Sequence, residues 1–348
     1  GAEVEFVCRE HSGNLIELIR QKKFIVHGLL VPENFVPECV SENNSENEYQ
    51  SWLGTSQEQD VQETITVIQN RNPEWLIVDH YAIGKAWESQ LRPHVRKIMV
   101  IDDLADRPHE CDLLLDQNYF QDSDSRYNGL LPPTCTKLLG PQFALLRPEF
   151  AETRKHMKQH NGKVQRVFVF FGGTDPDNLT GKALEALICP EFSHLDVIVV
   201  IGTNNPYRNK IERQVRTRPL TQLHVQVENI AELMAQSDLA IGAGGTTTWE
   251  RLCLGLPTLV VTIAENQIAF SECLQQDGYL RWIGALETLD VKTLCKALRD
   301  SLEQQSINHL HSQKGKELVS GDGTPQVVKL MTKDIISDSW TIRKATTS

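Results

Sequence analysis

Between positions 242 and 250 of the run LAIGAGGTTTWERLCLGLPTLVVTIAENQ (239–267) stand three glycines, three threonines and a glutamate. An apolar stretch, Leu239 to Ile241, ends at Gly242, Gly244 and Gly245, and a helical pattern follows at once. Glycines there let a ligand come close to the backbone, and the free N–H groups of a helix start favour an anion. Thr246, Thr247 and Thr248 add hydroxyl donors. Glu250 falls about one turn into the helix, where a carboxylate can accept from both hydroxyls of a ribose. A tight strand–helix turn with a threonine cap uses the same residue types. Turn, hydroxyls and acid together favour a phosphate site.

VFVFFGGTDPDNLTGKAL repeats the design, with a strand ending at Gly172 and Gly173, Thr174 and Asp175 next, and a helix from near Asn178. Pro176 and Asn178 serve equally as turn and capping residues. Two Gly-rich strand ends in one domain fit a nucleotide diphosphate. The GxxxxGK[ST] pattern is missing, which excludes a P-loop NTPase. AENQ (264–267) brings Glu265, Asn266 and Gln267 to another strand end, either as ligand contacts or as a capping cluster. In the first half, LIVDHY ends in Asp79, His80 and Tyr81, and VIDDLADRPHECD supplies Asp102, Asp103 and His109. Acid–imidazole neighbours can move protons, although adjacent strand residues point to opposite faces and capping is the plainer role. No HExxH or facial-triad spacing occurs, so no metal is expected.

Strand-like runs alternate with amphipathic helical patterns throughout, which predicts an α/β protein with parallel sheets. Strands are expected at VEFVCR, LIVDHY, KIMVIDD and CDLLLDQN, then at RVFVFFGG, DVIVVIG, LHVQVEN, LAIGAGG and TLVVTIA. In GNLIELIRQ the spacing of Leu15, Leu18 and Ile19 predicts a helix packed on the sheet through those residues. The polar stretch 147–165 reads as a linker. It divides the chain into domains 1–150 and 166–332, with 151–165 between them. Residues 289 to about 331 read as mostly helical. Two doubly wound domains facing across a cleft would bind ligands beyond the carboxyl ends of their strands.

The 348 residues carry a net charge of −11, with Lys and Arg scattered, which argues against a nucleic-acid partner. Eight cysteines without a CxxC read as reduced thiols of a cytoplasmic protein. No signal peptide or membrane-spanning run is read.

LIVDHY, VIDDLADRPHECDLLLDQN, GPQFALLRPEF, FFGGTDPDNLT, IGAGGTTTWERLCLGLPTLVV and AENQ occur in an order that resembles the UDP-2,4-diacetamido-2,4,6-trideoxy-β-L-altropyranose hydrolases of pseudaminic acid biosynthesis, over about residues 1–325. The resemblance implies a GT-B fold with UDP mainly on the C-terminal domain and no cofactor. It implies diphosphate at Gly172, Gly173 and Thr174 and at Gly244, Gly245, Thr246 and Thr247, ribose on Glu250, and Arg147 near the ligand. Tyr81 and Asn266, with Gln267 beside it, would face the sugar or the attacking water. The implied reaction releases UDP and the free sugar by water attack at the anomeric carbon, with inversion. The family's catalytic histidine follows a first strand. GAEVEFVCRE resembles the second, so the resemblance implies that the first strand, its turn and its helix are absent from this sequence and that no histidine here matches. Such a chain is expected to be less stable and better at binding than at turnover. A GT-B glycosyltransferase and a catalytically dead nucleotide-sugar-binding module are the alternatives, with an NAD-dependent dehydrogenase disfavoured because GxGxxG is missing. WTIRKAT, in the tail 333–348, resembles the opening strand of a fused acetyltransferase domain. An oligomeric partner is not indicated.

Overall fold

The computed structural model describes residues 2–32, 49–157 and 159–333. The chain forms two compact units, one of Gly1–Asp116 and Asp124–Leu138 and the other of Gln117–Ser123 and Leu139–Ser348.

In the first unit, β1 (Glu5–Arg9) and β2 (Ile25–Leu29) pair in parallel. A second sheet runs in the order β3 (Trp75–Val78), β4 (Lys97–Ile101), β5 (Leu113–Asp116) and β6 (Thr136–Leu139). The apolar runs of β4 and β5 are buried on both faces, as expected of parallel strands. Among the described residues no ladder joins β1 to β3. The β1 strand is instead tied to the rest of the unit by charge. Arg9 lies 2.5 Å from both Asp60 and Glu63 of the helix Gln57–Ile68. The Trp87 indole donates to the other oxygen of Asp60 at 2.9 Å.

The helix Ile16–Gln21 departs from expectation. Leu15 and Leu18 are 63% and 46% exposed, and Ile16 is the buried residue. The Asn14 side chain accepts from the Ile16 amide at 3.0 Å. The Ile16/Ile19 stripe faces inward instead of the Leu15/Leu18 stripe.

The second unit carries six parallel strands in the order β12-β11-β10-β7-β8-β9. They are β7 (Arg166–Phe170), β8 (Asp196–Ile201), β9 (Thr221–Val225), β10 (Leu239–Ala243), β11 (Thr258–Thr262) and β12 (Arg281–Ala285). Alternate residues feed two cores. Val167 and Val169 pack with Leu184 and Leu298 on one face, and Phe168 and Ala240 with Phe150 and Trp249 on the other. From β7 the chain builds outward to β9, then returns to β10 on the opposite side and builds out to β12. The turns after β7 and β10 therefore flank the point where strand order reverses, which is the ligand position in such sheets.

The predicted linker 151–165 and the boundary at 150 need correction. Residues Pro148–His156 form a helix whose Phe150 is buried in the second unit. Arg154 of that helix donates to the carbonyls of Cys253, Lys316 and Val319, each at 2.8 Å. One aromatic and one arginine anchor an otherwise charged segment, so its polarity misled. Helices Val291–Glu303 and Gln305–Leu318 and the helical residues 323–333 fill the expected helical stretch. The tail reading falls on residues 334–348, outside the described residues. The described cysteines are free thiols.

Arg9 and Asp60 side chains are only 6% and 8% exposed. Arg9→Met leaves a buried carboxylate without its partner and is expected to cost about 3–5 kcal/mol. The shift of the denaturant midpoint measures it.

Candidate functional site

The turn after β10 is shaped by close approaches. A Cβ on Gly242 would lie 2.4 Å from Arg251 Nη1 and 2.6 Å from the Phe170 carbonyl oxygen. On Gly244 it would lie 3.2 Å from Gln267 Oε1 and 3.3 Å from Ser271 Oγ. Glycine at these positions lets β7, β10 and the helix Asn266–Gln276 converge. The Gly244 amide donates to the Val261 carbonyl at 2.9 Å, and Gln267 Oε1 accepts from the Ile263 amide at 2.9 Å. Gly244, Gly245 and Gln267 are thus one assembly, with half-buried Asn266 beside it. Thr246 is exposed and Thr247 half-buried at the start of the helix Thr247–Leu254.

Behind this turn lies Arg251, which sequence reasoning did not single out. Its Nη2 donates to the Ala243 carbonyl at 2.6 Å and to Thr248 Oγ1 at 3.0 Å, and Nη1 donates to Thr247 Oγ1 at 3.3 Å. The available signal was an arginine three and four residues beyond two threonines on the face of an amphipathic helix. Burial pushes its guanidinium down to about 10, so it remains charged at neutral pH.

Glu250 occupies the next position outward. Its side chain is 14% exposed, and Oε1 lies 3.4 Å from Arg147 Nη2. The other oxygen is buried without a hydrogen-bond partner among the described residues. Burial raises this carboxyl above the usual glutamate range, with Arg147 pulling the other way. Arg147 also lies 3.1 Å from Glu149 and packs over the Phe150 ring.

After β7, Gly172 takes φ +94, and a Cβ on Gly172 or Gly173 would meet nothing within 4 Å. Open space lies over this turn, with Thr174 exposed at its end. The Gly173 carbonyl accepts from the Gly202 amide at 3.0 Å, which pins the turn to the end of β8. Asp175 is buried and accepts from the Leu179 and Thr180 amides at 2.8 and 2.9 Å. It caps the helix Leu179–Leu187 rather than facing outward.

In the first unit, Tyr81 sits at the carboxyl end of β3, with its ring 5.0 Å from Tyr49 and 6.0 Å from Trp52. Burial, and the charge and hydrogen bond of Asp103, hold its hydroxyl far above the ordinary tyrosine range, so it stays a neutral donor. Packing around Asp79, and then the charge of Asp103, raise the Asp79 carboxyl. The His80 ring accepts from the Ala82 amide at 3.1 Å, and burial lowers its pKa. His109 and Asp102 correct the acid–imidazole reading, because both are buried. His109 Nδ1 lies 2.7 Å from buried Glu88, and Asp102 pairs with Arg107 at 3.0 Å and accepts from the Tyr127 hydroxyl at 3.1 Å. Both side chains find partners inside the unit. Among the described residues no group of three or more His, Cys, Asp and Glu is placed to hold a metal ion, and no helix is long and apolar enough to cross a membrane.

Residues 166–320 match the glycosyltransferase family 28 C-terminal domain. Over 280 residues the chain is 30% identical to the UDP-2,4-diacetamido-2,4,6-trideoxy-β-L-altropyranose hydrolase of Campylobacter jejuni, covering 80% of this chain and 88% of that protein. It is 27% identical over 193 residues to the spore coat polysaccharide biosynthesis protein SpsG of Bacillus subtilis, covering 55% of this chain and 57% of that one. The chain therefore spans little more than half the length of this second relative. MurG of Acinetobacter baumannii shares the architecture at TM-score 0.58 and 11% identity, over 95% of this chain and 91% of that one. That likeness shows the fold alone, a GT-B type built from two Rossmann-like units.

The raised carboxyl of Glu250 sets a pH-dependent cost. Below its unfolded value of about 4.3 the group is protonated in both states. As the pH rises through the higher folded value, ionising it destabilises the fold relative to the unfolded chain. Glu250→Gln is therefore expected to melt above the parent at pH 7, with the gain shrinking to nothing near pH 4. Melting curves at the two pH values check this.

Proposed function

This chain belongs to the family of the UDP-2,4-diacetamido-2,4,6-trideoxy-β-L-altropyranose hydrolase, and from that premise we propose that it is a UDP-sugar hydrolase acting in nonulosonic (pseudaminic) acid synthesis. The observation that carries the proposal is the assembly of Gly244, Gly245 and Gln267 at the strand-order reversal, with Glu250 half-enclosed beside it. The diphosphate would lie against the backbone amides of Gly245 to Thr247 and the hydroxyls of Thr246 and Thr247. The open turn Gly172–Gly173–Thr174 would take its other side. Glu250 would accept from the ribose hydroxyls, with Arg147 offsetting part of the cost of its charge.

Water would attack the anomeric carbon. The C–O bond to the diphosphate would break, and UDP would leave with the bonding electrons. The protein's share is to hold donors where negative charge builds up on the leaving oxygen. The Tyr81 hydroxyl and the Asn266 amide would orient the sugar or the water as neutral hydrogen-bonding groups. The water's proton would pass to a base, the role that the resemblance gives to a histidine.

A GT-B glycosyltransferase is the second reading, favoured by the family 28 match over residues 166–320. It would use the same UDP site and hand the sugar to an acceptor hydroxyl. UDP release from the UDP-diacetamido-trideoxyaltrose substrate separates the two. Release in water alone supports the hydrolase, and release only with an added acceptor supports the transferase. UDP binding without any release leaves a nucleotide-sugar-binding module.

Gly173→Ala adds a methyl group into open space. Its stability is expected to stay within about 0.5 kcal/mol of the parent. UDP affinity should fall roughly tenfold, the scale of one lost hydrogen bond to a charged group. Melting curves and calorimetric titration measure the two effects separately.

A further inference from the structure

Arg251 is 1% exposed, and its hydrogen bonds go to one carbonyl and two hydroxyls, all neutral. Its Nε is buried without a hydrogen-bond partner among the described residues. A guanidinium removed from water is costly unless an anion compensates it. The neighbouring carboxylate, Glu250, acts on Arg251 through charge alone, and its own Oε1 is taken up by Arg147. The second unit thus keeps a positive charge sealed directly beneath the Gly244–Thr246 turn, without a bonded counter-ion among the described residues.

The position of that charge is specific. The two Nη groups reach Ala243 on the strand side of the turn and Thr247 and Thr248 on the helix side, so the guanidinium brackets the turn from below. Hydroxyls that accept from a cation keep their own protons free to donate. Thr247, one of these two hydroxyl residues, is half-buried. The helix start adds potential of the same sign. In a low-dielectric interior such a charge acts on the surface above it with little screening.

We propose that Arg251 is the buried counter-charge of the bound diphosphate, a positioning residue that makes the Gly244–Thr246 turn select an anion over a neutral ligand. This rests on the reading of the turn as the diphosphate site. Uridine, which has no phosphate, should feel the guanidinium little, whereas UDP should feel it strongly.

The test is calorimetric titration of the full chain and two variants with UDP and with uridine, with melting curves as the check on folding. Arg251→Gln keeps a donor and loses the charge. Its preference for UDP over uridine is expected to fall by about tenfold or more. Arg251→Lys keeps the charge without the planar fork, and its preference is expected to stay within a few-fold of the parent. Parent-like preference in folded Arg251→Gln overturns the proposal. So does loss of the preference in folded Arg251→Lys, which would mean that the fork shapes the turn and the charge does not select. Should Arg251→Gln fail to fold, Arg251→Lys alone decides. Failure of the parent chain to bind UDP would instead remove the diphosphate reading itself.

Discussion

The second unit depends on one close approach, that of the Arg251 guanidinium to the backbone of Gly242. No side chain fits there, since a Cβ would lie 2.4 Å from Nη1 and 2.6 Å from the carbonyl of Phe170 on the neighbouring strand. Because β10 is bare at that point, the helix that follows can fold back and press its buried arginine against the strand end. The arginine in turn holds Ala243, Thr247 and Thr248 in place. The path of the Gly244–Thr246 turn, and the direction of the amides that open the helix, follow from this contact. Gln267 can then enter beside Gly244 and join the end of β11 to the same surface.

The first unit uses charge differently. Its ionisable residues look like chemistry in the sequence but mostly hold the unit together. Arg9 with Asp60 and Glu63, Glu88 with His109, and Asp102 with Arg107 are internal pairs. Each group satisfies another that would be costly to bury alone. Tyr81 and Asp103 remain at the strand ends, where burial and then the Asp103 carboxylate keep the phenol protonated. Within a few residues the same polar motif therefore splits into a buried half and a half-buried one.

Much of the fold was legible because parallel strands buried on both faces must be apolar runs, and these runs mark themselves. The Gly-rich strand ends were legible for a similar reason, since a close approach of backbone, as at Gly242, admits only glycine. The failures share a cause. The stretch 147–165 is charged, but a single Phe150 and a single Arg154 dock it into the second unit. The Ile16–Gln21 helix turns Ile16 inward rather than Leu15 and Leu18, a choice made by what it packs against rather than by its own pattern. Arg251 was overlooked because an arginine in a helical pattern ordinarily lies in solvent.

By itself the sequence determined the class of fold, the positions of the two Gly-rich turns and the residue types offered at them. Local patterning settles these, because burial on both faces and the need for bare backbone each leave a mark in a short window. The tertiary structure alone decided which polar residues are buried in the interior and which keep part of their surface exposed. His109 and Asp175 went to the first group, and Glu250, Gln267 and Tyr81 to the second. That division turns on partners distant in sequence, such as Glu88 for His109 and Arg147 for Glu250. Whether a buried charge finds its counter-ion within the chain is a property of the folded interior that no short stretch of sequence carries.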